Sequence, residues 1–278
     1  MIDTSLIHQL PPIQRARGDR FYAGDKHWVD LWKQGGAWLF GHRPEGAARE
    51  WKNQLDKGLS SHLPTRWTAR LQRHLNELFG LEAKLRLYPN VAVAVEALEH
   101  WKAERFSFQD YDRALWKPLR DEKPLSVRER SLPGVWSEII LPVLPAGPVQ
   151  AVAVLLAGST TGLPEAPLVA VTEVAALVRA VVTLRRKLLD PVFAKTSALV
   201  SGLFDRVVLP TGVFRRHGLW LEATCEPEDY EFLFTTLLEA GFVLSPDQSL
   251  ESLLPLALSE GEAKAWKLAC ERFLAGAS

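Results

Sequence analysis

The sequence predicts a mixed α/β (α+β) fold in two lobes, and three observations carry that prediction. Segments with apolar residues at helical spacing alternate with short strand-like runs along the chain. Two extended runs flank Gly24-Asp25 and read as a hairpin near the N-terminus. The stretch Ala151-Val152-Ala153-Val154-Leu155-Leu156 is continuously apolar, as in a strand covered on both faces. With 278 residues, 47% of them hydrophobic, the chain can build one large domain or two modest lobes sharing a core.

The elements follow in order. Residues 1–20 form an irregular arm, because Pro11-Pro12 bars a regular helix. The hairpin occupies residues 21–31, and Gly35-Gly36 and Gly41-His42-Arg43-Pro44 punctuate the loop after it. A helix runs from Pro44 to Lys57 and ends at Gly58. Pro64-Thr65-Arg66 opens a second helix with Trp67, Leu71, Leu75 and Leu78 at helical spacing and Gly80 as its stop. Leu85-Arg86-Leu87-Tyr88 is a short strand, and Asn90 caps a helix reaching about Ala103 with Val91, Val95 and Leu98 on one face.

Residues 105–135 are charged, proline-punctuated and mostly loop. Strands are expected at 139–141 and 151–156, then a turn at Gly158-Ser159-Thr160-Thr161-Gly162. A long helix covers about 167–189, with Arg185, Arg186 and Lys187 complementing its C-terminal dipole. A helix at 191–204, a strand at 218–223, a helix at 227–240 ended by Gly241 and a strand at 242–244 come next. Ser259-Glu260-Gly261-Glu262 fits a capping box opening the last helix.

Composition excludes several classes of function. Thirty-three basic residues balance 33 acidic ones, so no global field recruits nucleic acid or an anionic membrane. Cys225 and Cys270, the only cysteines, argue against a disulfide framework or a cysteine-based zinc site. The start Met1-Ile2-Asp3-Thr4-Ser5 does not read as a signal peptide, and the apolar runs are too interrupted to span a bilayer, so a cytoplasmic protein is expected. No H-x-x-x-H, Walker or G-x-S-x-G pattern occurs among the residues, so neither a metal site nor those nucleophile and phosphate motifs have a local signature. Ten Trp residues, eight of them in the first half, are expected in core and subunit-interface packing.

Three stretches, in order, resemble the class III aminotransferases, the fold type I group that includes glutamate-1-semialdehyde aminomutase and omega-amino acid transaminases. The first is Tyr22-Ala23-Gly24-Asp25-Lys26-His27-Trp28-Val29-Asp30-Leu31-Trp32 followed by Gly35-Gly36-Ala37 and Gly41-His42-Arg43-Pro44. The second runs from Leu85-Arg86-Leu87-Tyr88-Pro89-Asn90 through Val91-Ala92-Val93-Ala94-Val95-Glu96-Ala97 and occupies the place of the family's strand, S-G-T-E-A turn and helix. The third is Arg215-Arg216-His217-Gly218-Leu219-Trp220-Leu221-Glu222, with the strand, proline turn and helix start from Gly241 to Ser259. The resemblance implies a small lobe made from both ends of the chain, residues 1–65 and 210–278, and a reduced large lobe, residues 66–209. It also implies a homodimer.

The departures from the family are concentrated at its cofactor site. The family's turn holds the pyridoxal phosphate phosphate group with hydroxyls and amides, whereas this chain reads Asn90-Val91-Ala92-Val93 there. The family's large domain carries a stacking aromatic, an Asp for the pyridine nitrogen and a Schiff-base lysine before a long helix resembling residues 167–189. Here only about sixty residues separate the helix ending near Ala103 from Pro167. Lys195, in Phe193-Ala194-Lys195-Thr196-Ser197, is the lysine whose neighbours best suit a depressed pKa, while Lys117 and Lys123 fall in a charged loop.

Candidate ligand-binding residues are Asn90, as a helix cap or an anion contact, and Ser159 and Thr160, in a turn able to cradle an anion. Arg215 and Arg216 could hold a carboxylate or phosphate, and Arg43 could line an interlobe cleft or an interface. The expectation is a binding or scaffolding pseudoenzyme without cofactor. The alternative is an enzyme of amino-acid metabolism with an atypical or partner-completed pyridoxal phosphate site.

Overall fold

The computed structural model describes residues 6–42, 46–102, 115–120, 139–156 and 164–276. The chain folds as two compact units, one from Met1–Arg43 and Lys187–Ser278, the other from Pro44–Arg186. Both mix helices with small sheets, so the α/β reading holds.

The first unit joins the two ends of the chain. Strands β1 (Arg15–Arg17), β2 (Arg20–Ala23) and β3 (Lys26–Asp30) form an antiparallel meander, and β10 (Phe242–Val243) adds to it parallel to β3, giving the order β1-β2-β3-β10. Main-chain bonds from Val29 N to Gly241 O and from Leu31 N to Val243 O, both 2.8 Å, extend this junction. A second sheet has the order β11-β9-β8, from β8 (Phe214–His217), β9 (Trp220–Ala223) and β11 (Ser252–Leu253). Helices α5 (Pro191–Val207), α6 (Tyr230–Glu239) and α7 (Glu260–Gly276) complete the unit. Trp266 is its packing centre. The indole is fully buried, and Phe204, Phe214 and Phe242 surround it with ring centroids at 5.1, 5.8 and 5.0 Å.

The second unit is a four-stranded sheet of order β4-β7-β6-β5, built from β4 (Lys84–Tyr88), β5 (Leu115–Trp116), β6 (Ile139–Pro142) and β7 (Val152–Leu156). β7 runs antiparallel to β4 and β6, and β5 runs parallel to β6. Around it are α1 (Ala47–Asp56), α2 (Arg66–Phe79), α3 (Val91–Lys102) and α4 (Val171–Leu188), the last ending in the first unit. α2 begins at Thr65, whose hydroxyl accepts from Trp67 N, and stops at Gly80, which takes a left-handed φ of 62°. α4 buries residues on nearly every side, from Val171 to Leu184, as a helix inside a core does.

Several elements differ from the sequence expectation, each for a local reason. The arm contains β1, because Arg15, Ala16 and Arg17 pair with β2 beyond the two prolines. Residues 105–135 contain β5, and Phe214–His217 is a strand because it pairs with β9 across Gly218. The long helix starts at Val171, and the first helix starts at Ala47. Segment 44–65 belongs to the second unit, where Trp67 Nε1 donates to Gln54 of α1 at 3.3 Å. Segment 187–209 belongs to the first, because Phe204 of α5 packs on Trp266 of α7. No helix among the described residues is long and apolar enough to cross a membrane.

Candidate functional site

The G-H motif of the N-terminal region builds a clasp. His42 Nε2 lies 3.0 Å from Asp30 Oδ2, its ring packs on Phe21 and Trp38, and its amide donates to Gly18 O at 2.7 Å. Gly41 is required here. Its φ is +81°, and a Cβ would meet the Gly18 backbone at 2.8 Å. The other oxygen of Asp30 accepts from Lys33 N at 2.9 Å. Lys33 is itself buried, and its ammonium pairs with Asp19 at 2.7 Å and donates to Leu39 O. Asp19 Oδ2 accepts from Leu256 N at 2.6 Å, so the network ties the N-terminal hairpin to the C-terminal region. Every charge in this cluster is spent on holding backbone.

The turn after β4 is also structural. Asn90 Oδ1 accepts from Val93 N at 3.0 Å and Asn90 O accepts from Ala94 N at 3.2 Å, so Asn90 caps α3. Val91 and Val93 pack against the cluster of Tyr88, Ala94, Val95, Leu98 and Val154. A phosphate at this helix start would find no hydroxyl, and one of its first-turn amides is occupied by the cap.

The connection from β6 to β7 is Val143-Leu144-Pro145-Ala146-Gly147-Pro148-Val149-Gln150-Ala151. Leu144, Ala146 and Ala151 are buried in it, and Val143 N donates to Trp116 O at 2.9 Å. No lysine occurs anywhere between Lys123 and Lys187. The residues of this turn and of the α3 start carry neither a side-chain amine nor a hydroxyl.

The remaining sequence-derived candidates are scattered. Lys195 is exposed on α5, which does not offer the closed surroundings a Schiff-base lysine needs. Arg216 is committed to structure by two 2.7 Å bonds to Asp205 and a 2.6 Å bond to Gly218 O. Arg215 is exposed and faces its cross-strand partner Glu222 at 3.2 Å. Arg43, Ser159 and Thr160 lie outside the described residues. Among the described residues no group of three or more His, Cys, Asp and Glu is placed to hold a metal.

Three residues that the sequence did not single out as site candidates stand out instead, and one of them, Lys117, is buried where a charged loop was expected. Lys117 follows β5 and is 8% exposed, beside Leu119 with a left-handed φ of 63°. The apolar pair Leu115-Trp116 was the available signal, since it marks a strand whose next residue sits at its end. Arg86 and Tyr88 share one face of β4, and neither Arg86 Nε nor the Tyr88 hydroxyl has a hydrogen-bond partner. Burial raises the Tyr88 pKa, opposed by the charge of Arg86. A cation inside the apolar strand Leu85-Arg86-Leu87 was the sequence signal.

Comparison with solved structures places the fold. An ornithine aminotransferase from Plasmodium yoelii superposes with a TM-score of 0.63 at 15% identity, the match covering 98% of this chain and 96% of that one. An N-acetylornithine aminotransferase from Stenotrophomonas maltophilia gives 0.63 at 14% identity, covering 98% of each chain. An ornithine aminotransferase from Toxoplasma gondii, whose crystal structure has partial occupancy of PLP at its active site, gives 0.61 at 12% identity, covering 96% of this chain and 91% of that one. No family model and no curated protein matches the sequence. The chain has the class III aminotransferase fold, at an identity that speaks for the fold alone.

Proposed function

We propose that this chain is a non-catalytic binding or scaffolding protein of the cytoplasm, built as a homodimer on the aminotransferase frame. The observation that carries this reading is the lysine-free stretch from 124 to 186, which includes the whole turn between β6 and β7. An amine there could form a carbon–nitrogen double bond with an aldehyde cofactor, and the valine, leucine and prolines present have no group able to do so. The Asn90 cap and the valines behind it support the same reading, since they turn the helix start inward as packing.

The test is a titration of the purified protein with pyridoxal phosphate, read by visible absorbance and by mass spectrometry after borohydride reduction. No lysine-bound chromophore and no stoichiometric adduct are expected. A stoichiometric adduct on one lysine would overturn the reading in favour of an active transferase. Lys117, buried at the end of β5, is the position to check first under that outcome. Sedimentation at micromolar concentration checks the dimer, and a monomer would remove that part of the proposal.

A further inference from the structure

A cleft of about 280 Å³ runs along β4, within the second unit. Leu85, Arg86 and Leu87 line its floor, Leu63, Pro64 and Thr68 one side, and residues 165–169 the other. Three consecutive strand residues can line one cleft only along the strand's edge, because their side chains alternate between faces. β4 is the edge strand of its sheet, with β7 as its partner. Leu85 N turns away from β7 and donates to Gln72 Oε1 at 3.1 Å. The two-residue period then turns the Leu87 amide and carbonyl the same way, into the cleft.

The chemistry of the lining is uneven. Leu63, Pro64, Pro167, Leu168 and Val169 supply apolar walls, and Leu63 and Leu168 are 45% and 51% exposed. Arg86 supplies a cation, and its Nε is removed from water without a hydrogen-bond partner. Among the described residues it makes no ion pair. The hydroxyl of Tyr88, two residues along the same face and 1% exposed, is unpartnered as well. The rest of the Arg86 side chain is half-buried, and a buried guanidinium N–H without an acceptor favours a bound anion or water. Glu165, exposed at the rim, makes the cleft unfavourable to a doubly charged anion.

We propose that the cleft along the edge of β4 binds a small aliphatic monocarboxylate, its carboxylate on Arg86 and its chain against Leu63, Pro167 and Leu168. The volume sits at the low end of ligand pockets, which suits a molecule of this size. This site is independent of the non-catalytic reading, since no cofactor enters it.

The experiment is a titration of the full chain with isocaproate, its neutral amide and inorganic phosphate, followed by calorimetry and ligand-observed NMR. Saturable binding of isocaproate is expected, weakened about tenfold or more by Arg86→Gln and by replacing the acid with its amide, as loss of a charged hydrogen bond implies. Leu168→Glu and Leu168→Lys, at an exposed position that tolerates either charge, weaken and strengthen binding respectively. Absence of saturable binding, equal binding of the amide or of phosphate, or indifference to Arg86→Gln and to both charge changes at Leu168 would each overturn the proposal. Pyridoxal phosphate reactivity is unaffected by any of these outcomes.

Discussion

The two units place their buried charges differently, although both bury polar atoms without partners, among them Trp266 Nε1 in the first and the Tyr88 hydroxyl in the second. In the first unit Lys33 pairs with Asp19, the half-buried Arg20 pairs with Glu262, and Asp30 meets the His42 ring. In the second, Arg86 and Tyr88 leave polar atoms without partners on one face of an edge strand. The first pattern is that of a frame, in which each charge fixes a backbone turn. The contrast teaches that the G-H motif marks architecture, while the proposed binding chemistry lies in a strand with no motif.

The largest effect that would break this contrast concerns Lys33. Lys33→Met leaves the Asp19 carboxylate buried without its cation, and a loss of about 3–5 kcal/mol is expected in urea denaturation. Hydrogen exchange should localise that loss to the first unit. A smaller effect is expected at the start of α3. Asn90→Ala removes the cap and should cost about 1 kcal/mol, with exchange increasing at Val93 and Ala94. A larger change in ligand binding than in stability there would mean that Asn90 is more than a cap.

Two partly buried carboxylates, one in each unit, should respond to pH with opposite signs. Glu262 is pulled upward by burial, but the Ser259 amide, Arg20 and the Ser259 hydroxyl outweigh that and hold its pKa below the usual carboxylate range. Its contribution to the first unit is therefore complete above its unfolded pKa and is lost as pH falls through the lower folded value. Glu173 is raised by burial, with the Ala151 backbone and His62 opposing. It favours the second unit at low pH, and that contribution is lost as pH rises through its folded pKa. Glu262→Gln should flatten the acid limb for the first unit, and Glu173→Gln the alkaline-going limb for the second, measured by exchange across the acid range. The smallest effect is Tyr88→Phe. Removal of an unpartnered buried hydroxyl should leave stability unchanged or raise it by about 0.5–1 kcal/mol.

Much of the frame was legible in the sequence. Local signals place the hairpin about Gly24, the α2 stop at Gly80, the Asn90 cap and the Ser259–Glu262 capping box, and each corresponds to a bond or dihedral in the structure. What escaped were elements defined by partners far away. β1, β5 and β11 have two or three residues each, too few for a periodic pattern, and exist because a neighbouring strand receives them. The candidate site failed for a similar reason. Arg215 and Arg216 look available until Glu222 and Asp205 come up beside them, and Arg86 looks like an ordinary strand cation until its partner fails to arrive.

The parallel pairing of β10 with β3 brings Phe242 beside Val29, roughly two hundred residues away along the chain. During synthesis the N-terminal hairpin leaves the ribosome long before the strand that completes its sheet exists. The middle unit can fold first as an insertion, and the early hairpin must then wait with the β3 edge unpaired. At that stage β3 offers the same hydrogen-bonding edge that β10 will later fill, which is an opening for domain exchange between nascent chains. Closure of so long a loop is slow in sequence terms, though shortening by the folded insertion reduces its entropic cost.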